Sequence, residues 1–358
     1  MRKRLYIVRR EAGGIGGAEK VANRFAKSFS EHFEVELLFA GKEIHGERLQ
    51  GTRGPSWLKC LRFAKSTRQF LAKEHDALVF SMERGVPGTI YRAGDGVHKV
   101  WLRRKYGNSI KWIFNPLHWI LPRLEKVSML QSQTVVPNSR MVDLEIREYY
   151  QIQSEKLKVI NNGFDSKVFH PLDEQSRFEL RKKFGVSGNR INLLFSGSGW
   201  ERKGLSWAIE LLAQLAREGS EAHLWVAGKG DPKKFIEKAK NQGVENSMTF
   251  LGSAKEIQKW YQIIDFMILP TSYDPFSNSC LEALACGAPT ITTSHNGASE
   301  LCRKLHEGLV VDKSDHNGFR ELAGSLPSMK FSAKTVSQSV QHLETKLELK
   351  SYLQLLKN

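Results

Sequence analysis

Short apolar runs alternate with amphipathic segments along the chain, and most runs end in glycine or polar residues. After the first run, Leu5–Val8, the residues Val21, Phe25 and Phe29 recur at helical spacing. The runs that predict strands are RLYIVRR, FEVELLF, DALVF, QTVVPNS and KLKVINNG, then INLLFSGSG, EAHLWVAGKG, SMTFLG, DFMILPTS, APTITTS and GLVV. Apolar strands that lead into helices are typical of parallel sheets covered on both faces.

The pattern therefore predicts an α/β protein of two doubly wound, Rossmann-like domains. We place the first at residues 1–165 and the second at 166–335, followed by a terminal helix over 336–358 that packs back across the domains. At 358 residues, 41% of them hydrophobic, the chain is long enough for two cores. No apolar run approaches the roughly 18 residues of a membrane span. Leu5–Val8 is too short for a signal-peptide core, so we expect a cytoplasmic protein.

The charge is divided unevenly between the two halves. Residues 1–170 hold 30 Lys and Arg against 17 Asp and Glu, whereas the remainder holds 24 against 21. Such asymmetry favours an anionic partner for the first half, namely nucleic acid, acidic lipid or a phosphorylated substrate, although a solvated basic face also explains it. The cysteines have no CxxC spacing, which favours buried free thiols and no metal site.

Two glycine-containing stretches follow strands and open helices. In GGIGGAEK, Gly16 and Gly17 would let backbone amides approach a ligand, although a tight turn without a ligand explains them as well. In SGSGWERKG, Arg202 and Lys203 stand at a helix entrance, where an anion is already favoured. Two cations there would hold a diphosphate; the alternative is a pair of solvated loop cations.

Two acids, Asp274 and Glu282, lie eight residues apart in YDPFSNSCLEALACGAPTITT. The intervening residues predict a helix that begins around Ser277–Ser279, with Asp274 before it and Glu282 one to two turns inside. Because a carboxylate accepts two hydroxyl hydrogen bonds at once, the pair suits a sugar ring and a ribose. An N-terminal acid followed by an ordinary helical glutamate is the plain alternative.

This stretch resembles the nucleotide-sugar signature of family 4 retaining glycosyltransferases of the GT-B fold, in which two domains face a cleft. VPNSR, VINNGFDSKVF, the RKG element, LWVAGKG and TFLG agree in order along nearly the whole chain. The stretch YRAGDGVHKVWLRRKYG is similar to that of lipopolysaccharide core glucosyltransferases, which act on the inner-core heptose. Three departures concern the donor site: Asp274 stands for the usual Glu, Ser277 for Gly, and Ser198 for an Arg of many relatives.

The resemblance implies a role for each matching position. Glu282 would bind the ribose, and Arg202 and Lys203 the diphosphate. Asp274 would contact the transferred sugar as a catalytic residue together with Lys203. Asp95 would face the acceptor and the reacting carbon, with His98 as the alternative there, since many relatives use a histidine in that region. The other donor-binding positions implied are Gly16, Gly17, Phe250, Leu251, Phe276, Ser277, Asn278 and Ser279. No cofactor or metal is expected, only a nucleotide-sugar co-substrate such as a UDP-sugar.

Cations alternate with large apolar residues over positions 99–126. Such a basic helix with aromatic anchors lies well on an anionic membrane. The same mixture could stack on single-stranded nucleic acid, or form a core helix with a wet basic side. The resemblance favours the membrane. The acceptor or membrane residues expected are His98, Trp101, Arg103, Arg104, Lys105, Lys111 and Trp112.

The leading hypothesis is a metal-independent retaining hexosyltransferase, peripheral on the cytoplasmic face of the membrane. It would move glucose or another hexose to a lipopolysaccharide core or related glycolipid, with no nucleic-acid partner. One alternative keeps the fold but makes capsule or exopolysaccharide from another donor. The alternative of another class is a non-catalytic basic module that binds nucleic acid or lipid, for which the set Asp274, Glu282 and Lys203 would have no use.

Overall fold

The computed structural model describes residues 2–11, 17–40, 47–48, 54–302, 308–312 and 316–357. By its contacts the chain divides into an N-terminal unit, Met1–Asn161 with Lys346–Asn358, and a C-terminal unit, Asn162–Thr345. The sequence-based boundary was placed at 165/166. Each unit contains a six-stranded parallel sheet with helices on both faces, so the predicted fold class is confirmed.

The N-terminal sheet has the strand order β3-β2-β1-β4-β5-β6. Its strands are β1 Arg4–Val8, β2 Glu34–Phe39, β3 Glu47–Arg48, β4 Leu78–Ser81, β5 Ile90–Ala93 and β6 Thr134–Pro137. Its helices are α1 Gly17–Phe29, α2 Ser56–Leu71, α3 His98–Tyr106, α4 Leu117–Gln131 and α5 Arg140–Tyr150, with a 3-10 turn at Ile110–Phe114.

Successive residues of β1 point to opposite faces of the sheet, so this one strand supplies two cores. Leu5 and Ile7 pack with Phe25 of α1 on one face. Tyr6 and Val8 pack on the other face with residues of α2 and α4. Burial on both faces explains why the strand is a continuous apolar run in the sequence.

The C-terminal sheet has the order β12-β11-β10-β7-β8-β9. Its strands are β7 Ile191–Ser196, β8 Ala222–Ala227, β9 Met248–Gly252, β10 Phe266–Leu269, β11 Thr290–Thr293 and β12 Gly308–Val311. Its helices are α6 Glu174–Phe184, α7 Trp200–Lys203, α8 Leu205–Arg217, α9 Lys233–Asn241, α10 Ile257–Ile263, α11 Asn278–Ala285, α12 His316–Ser325 and α13 Ala333–Gln338. Helix α8 is buried along most of its length and forms the centre of the core.

The prediction of one terminal helix over 336–358 is wrong in its first part. The helical structure is interrupted between α13 and the last helix, α14 Thr345–Lys357. Residues 343–345 pair in extended form with the backbone of Phe164, which accepts from the amide of Thr345 at 2.9 Å. Helix α14 then contributes Tyr352 and Leu356 to the core of the N-terminal unit. The Tyr352 ring lies 5.1 Å from that of Phe25, edge to face.

One strand prediction in the N-terminal unit is wrong, and two short strands, β3 and β5, were not predicted. The stretch KLKVINNG forms no strand; an isolated bridge at Leu157 and two backbone hydrogen bonds join it to β6, and Val159 is exposed. Conversely, β5 was not predicted, because it is only four residues long and includes Arg92. That arginine is nevertheless buried, with 8% of its surface exposed.

Candidate functional site

Strands β7 and β10 are neighbours at the point where the strand order of the C-terminal sheet reverses. Strands β8 and β9 continue to one side of this pair and β11 and β12 to the other. In open α/β sheets, ligands bind at such a switch point, outside the carboxyl ends of the strands. Helix α7, which follows β7, carries Arg202 and Lys203, and the loop after β10 carries Asp274, so the fold brings these predicted residues together at the expected place.

Asp274 contacts both predicted cations. Its carboxylate lies 3.4 Å from an Arg202 Nη atom and 3.7 Å from Lys203 Nζ. The Arg202 guanidinium also donates to the backbone carbonyl of Tyr273 at 2.6 Å. The backbone carbonyl of Arg202 accepts from the Ser272 amide at 2.8 Å. Arg202 is therefore held through its main chain and its side chain by the loop that carries Asp274.

Glycine is required on both sides of these cations. A Cβ atom on Gly197 would lie 2.6 Å from Lys203 Nζ, and its φ of +142° also disfavours other residues. A Cβ on Gly204, at φ +84°, would lie 2.0 Å from the carbonyl oxygen of Pro270. The absence of side chains thus lets Lys203 lie over the loop and lets α8 begin close to the end of β10.

Asn296 anchors the acidic loop and was missed by the sequence reasoning. It is fully buried, and its side-chain oxygen accepts from the backbone amides of Ser277 at 3.2 Å and Ala298 at 3.1 Å. The Asp274 backbone pairs beside it, donating to the His295 carbonyl and accepting from the Gly297 amide. The signal in the sequence was the HNG triplet after β11, whose Asn-Gly pair is typical of a turn.

Helix α11 begins at Asn278, within the predicted range, and Ser277 stands at its N-cap position without a side-chain capping bond. The Ser277 and Ser279 hydroxyls are 2.9 Å apart, and the Asn278 side-chain oxygen accepts from Asn162 at 2.7 Å. Phe276 is buried in the core, so only its backbone is available to a ligand. Glu282 lies in the second turn and is partly exposed.

An aromatic group lies at the carboxyl end of β9. Phe250 and Leu251 are partly buried there, and the Phe250 ring is 5.4 Å from that of Trp200 on α7. Trp200 was not predicted; it is buried, and its indole N–H has no hydrogen-bond partner in the described part of the chain. Of the predicted glycines, Gly17 is the first residue of α1, and Gly16 lies outside the described residues.

Asp95 follows β5 in the N-terminal unit and contacts two arginines. Its carboxylate is 3.3 Å from Arg9 and 3.8 Å from Arg84, and its side chain is 44% exposed. Burial raises the pKa of Asp95, but the charges of Arg9 and Arg84 outweigh it and lower the pKa to about 2. Since a general base works best with a pKa near the ambient pH, Asp95 suits electrostatic or positioning work better than proton abstraction.

Glu125 of α4 is the centre of a buried network that the sequence reasoning missed. Its fully buried carboxylate accepts from Arg84 at 2.6 Å, from the Tyr150 hydroxyl at 2.5 Å and from the backbone amide of His98 at 3.1 Å. Because Arg84 also contacts Asp95, Glu125 fixes an arginine that lies beside the predicted catalytic acid.

His98 is buried rather than presented to solvent. Its ring stacks on Trp101 at 5.2 Å, and its Nε2 lies 3.2 Å from Nδ1 of His118. Burial is the main cause that lowers the pKa of His98 to about 3, and the charge of Arg84 adds to it. The imidazole is therefore neutral at pH 7 and able to hydrogen-bond as either donor or acceptor.

The basic segment 99–126 was expected to form one helix. It forms instead α3, the 3-10 turn and α4. Lys105 lies over the rings of Trp101 and Tyr106, at 4.7 and 4.9 Å. Arg103, Arg104 and Lys111 are exposed, and the Trp112 ring is 5.3 Å from that of Trp119. The turn and the start of α4 also expose apolar side chains: Ile110, Ile113, Phe114 and Trp119.

Residues 190–326 match the family of group 1 glycosyl transferases. An uncharacterized glycosyltransferase of Methanocaldococcus jannaschii is 29% identical over 192 residues, 52% of this chain and 49% of that protein. The lipopolysaccharide glucosyltransferase WaaG of Escherichia coli is 25% identical over 169 residues, 47% of this chain and 45% of WaaG. The chain thus spans about half the length of the curated relatives it matches.

Solved structures resemble the chain along almost its full length. The structure of WaaG, a glycosyltransferase involved in lipopolysaccharide biosynthesis, has a TM-score of 0.82 at 17% identity and covers 99% of this chain and 100% of WaaG. HepE of Anabaena, solved in complex with UDP-glucose, has a TM-score of 0.76 at 17% identity, with 99% of each chain covered. At such identities the likeness shows the fold alone, which is GT-B.

The family match and the fold agree with the motifs. Residues 190–326 match the group 1 glycosyl transferases, and the chain has the GT-B fold. The resemblance inferred from the sequence is confirmed, and the matched segment contains Arg202, Lys203, Asp274 and Glu282.

Proposed function

We propose that this protein is a retaining glycosyltransferase that uses a nucleotide sugar, with a UDP-hexose as the favoured donor. The observation that carries the proposal is the contact of Asp274 with Arg202 and Lys203 at the switch point of the C-terminal sheet. Relatives and structural neighbours support it, since WaaG is named as a glucosyltransferase and HepE was solved with UDP-glucose. The roles of the individual residues remain predictions.

The distances within the cluster of Arg202, Lys203 and Asp274 would allow the two cations to exchange Asp274 for a bound diphosphate. Charge-assisted hydrogen bonds are usually about 2.7–2.9 Å long, whereas Asp274 stands 3.4 and 3.7 Å from its two cations. A diphosphate would offer the cations more oxygens at shorter range. Asp274 would then be released to accept hydrogen bonds from hydroxyls of the transferred sugar.

We favour a same-face displacement for the chemical step. The bond from the anomeric carbon to the diphosphate breaks, the acceptor oxygen bonds to that carbon on the same face, and the acceptor's proton passes to the departing phosphate. Lys203 and Arg202 would stabilise the charge that develops on the leaving group, without a metal ion in that role. Asp95, with its lowered pKa, would stabilise positive charge at the sugar rather than abstract a proton.

The acceptor proposed is a lipopolysaccharide core or a related glycolipid at the cytoplasmic membrane face. Exposed apolar side chains support contact with a membrane surface, led by Phe114 at 80% and Ile110 at 65% exposure beside exposed cations. A basic surface with apolar anchors binds anionic bilayers without crossing them. None of the helices in the described ranges is long and apolar enough to span a membrane.

Thermal stabilisation by UDP-, GDP- and ADP-glucose tests the donor site. A ligand at about 100 times its dissociation constant adds about 2.7 kcal/mol, which raises the melting temperature of a unit of this size by roughly 5–10 °C. We expect the shift with UDP-glucose, its loss in Glu282→Gln, and its retention in Glu321→Gln, which changes an exposed glutamate on α12. A shift that survives Glu282→Gln would overturn the ribose assignment, and no shift with any donor would overturn the donor site.

A further inference from the structure

A concave pocket of about 610 Å³ lies in the N-terminal unit among α3, the 3-10 turn, α4 and α5. This volume is in the range of sites that bind small molecules. Six of its lining side chains carry the argument, four cations and two indoles: Lys99, Arg103, Arg123, Lys126, Trp112 and Trp119. We call this site the cationic pocket; Arg103 and Trp112 were predicted as acceptor or membrane residues, and the other four lie within the basic segment 99–126 that the sequence pointed to.

The charge of the cationic pocket is not balanced within it. Its lining includes no Asp or Glu, and none of the four cations forms an ion pair in the described part of the chain. Lys99 and Arg103 are four residues apart on α3, and Arg123 and Lys126 are three apart on α4, spacings at which like charges repel. A bound anion would remove this repulsion.

Lys99 is unfavourable for the helix that carries it. It lies in the first turn of α3, which holds no acidic residue, and the positive end of the helix dipole disfavours a cation there. Arg103, in the last turn, is explained by the opposite end of the same dipole. The helix dipole therefore does not stabilise Lys99, whereas an anion bound in the cationic pocket would.

The two tryptophans add an apolar wall to the charge. Trp112 and Trp119 lie 5.3 Å apart, and the Trp119 indole N–H donates to the Ile113 carbonyl at 2.8 Å, which fixes its ring while 41% of the residue stays exposed. A rigid indole face packs well against a flat apolar ring face. The matching ligand has an anionic group and the C–H face of a ring together, as a phosphorylated sugar does.

We propose that the cationic pocket binds a phosphorylated sugar unit of the acceptor. The identity of the acceptor rests on the proposed function, but binding in the pocket needs no donor and no transfer. Lys99, Arg103, Arg123 and Lys126 contact the phosphate, and Trp112 and Trp119 cover the ring. The pocket thereby selects acceptors that carry a phosphate beside the sugar to be extended.

Calorimetric titration of the full chain without donor tests the pocket. The probes are glucose 6-phosphate, mannose 6-phosphate and trehalose 6-phosphate, with trehalose and inorganic phosphate for comparison. We expect at least one sugar phosphate to bind about tenfold tighter than both comparison ligands, because only it uses both the cations and the indoles. If inorganic phosphate binds equally well, or no sugar phosphate saturates below about 10 mM, the proposal is wrong.

Matched variants locate the binding. Lys126→Gln and Trp119→Ala should each weaken sugar-phosphate binding about tenfold, whereas Lys65→Gln, on an exposed lysine of α2 outside the pocket, should not change it. The melting temperature of each variant shows whether its fold is intact. Wild-type affinity in both pocket variants would overturn the assignment. The donor test on Glu282 is unaffected by either result.

Discussion

The two units share one strand order but hold their charges in different ways. Numbered within each unit, both sheets have the order 3-2-1-4-5-6. At the switch point of the C-terminal sheet two cations and one acid, Arg202, Lys203 and Asp274, lie within 4 Å. In the N-terminal unit Asp95 lies between two arginines, one of which is held by the buried Glu125. The common topology sets where a site can form, while the loops decide its chemistry.

The two units also differ in their excess of positive charge. The excess positive charge falls in the first half of the chain, where the cationic pocket and the exposed apolar turn lie. The C-terminal unit is nearly balanced and places its cations against an acid. The two units therefore differ both in net charge and in how their cations are paired.

The largest effect is expected when the buried carboxylate of the N-terminal unit is removed. Glu125→Ala leaves Arg84 and the Tyr150 hydroxyl without their buried partner, and should cost the N-terminal unit about 3–5 kcal/mol of unfolding free energy. Hydrogen exchange measures each unit separately. Protection should fall in α3–α5 and stay unchanged around β7, and Glu148→Ala, on an exposed residue of α5, should have little effect. Equal losses in both units would contradict the assignment of the network to one of them.

The second-largest effect is expected on the rate of the chemical step at the C-terminal unit, and not on the stability of that unit. Lys203→Ala removes one of two cations beside Asp274 and should lower kcat by about 10²–10³, the usual result of losing one group that stabilises developing charge. Steady-state transfer from the donor that the thermal shift selects is the measurement. Lys240→Ala, on the exposed end of α9, is the control. Turnover within threefold of wild type would remove Lys203 from the proposed step.

Much of the fold could be predicted because parallel strands buried on both faces appear as apolar runs. All six strands of the C-terminal unit were recognised in this way, as was the start of α11. The cluster there was also predictable, since Arg202, Lys203 and Asp274 lie in two short stretches next to strand ends. Such local patterns carry their own geometry.

The rest depended on partners that are distant in sequence. Glu125 resembles any charged residue of a basic helix, and only its contacts with Arg84 and Tyr150 show that it is buried. Trp200 and Asn296 were missed for the same reason, because they contact Phe250 and Ser277, which are distant in sequence. KLKVINNG has the composition of a strand and buries Leu157, but Val159 is exposed and only two backbone bonds join the stretch to β6, so no regular strand pairing forms.

A smaller effect separates the surfaces of the two units. Each unit exposes a large phenylalanine, Phe114 at 80% and Phe178 at 63%. Burying a phenylalanine is worth about 1.5–3 kcal/mol, so Phe114→Ser should weaken binding to phosphatidylglycerol vesicles by about tenfold or more. Phe178→Ser, on α6 of the C-terminal unit, should leave sedimentation with the vesicles unchanged. Equal losses would show that the membrane contact is not confined to the N-terminal unit.

The smallest effect is a difference in acid sensitivity. His98 has a pKa lowered to about 3 and His118 a lowered pKa in the N-terminal unit, while the C-terminal unit has His223, lowered to about 4, all mainly through burial. Because these histidines stay neutral when folded but take up a proton when unfolded, stability is lost as the pH falls below about 6.5. Asp95 does not contribute in this range, since its stabilisation is lost only as the pH falls toward 2.

From pH 7 to 5.5, His98 and His223 should each remove about 1 kcal/mol, and His118 acts in the same direction as His98, so the N-terminal unit should lose more than the C-terminal unit. Urea unfolding at the two pH values, followed in each unit, measures the difference. His98→Gln should reduce the loss in the N-terminal unit by about 1 kcal/mol, and His223→Gln should do so only in the C-terminal unit. An unchanged pH dependence in His98→Gln would mean that the pKa of His98 is the same in the folded and the unfolded protein, so that burial beside the network around Glu125 does not lower it.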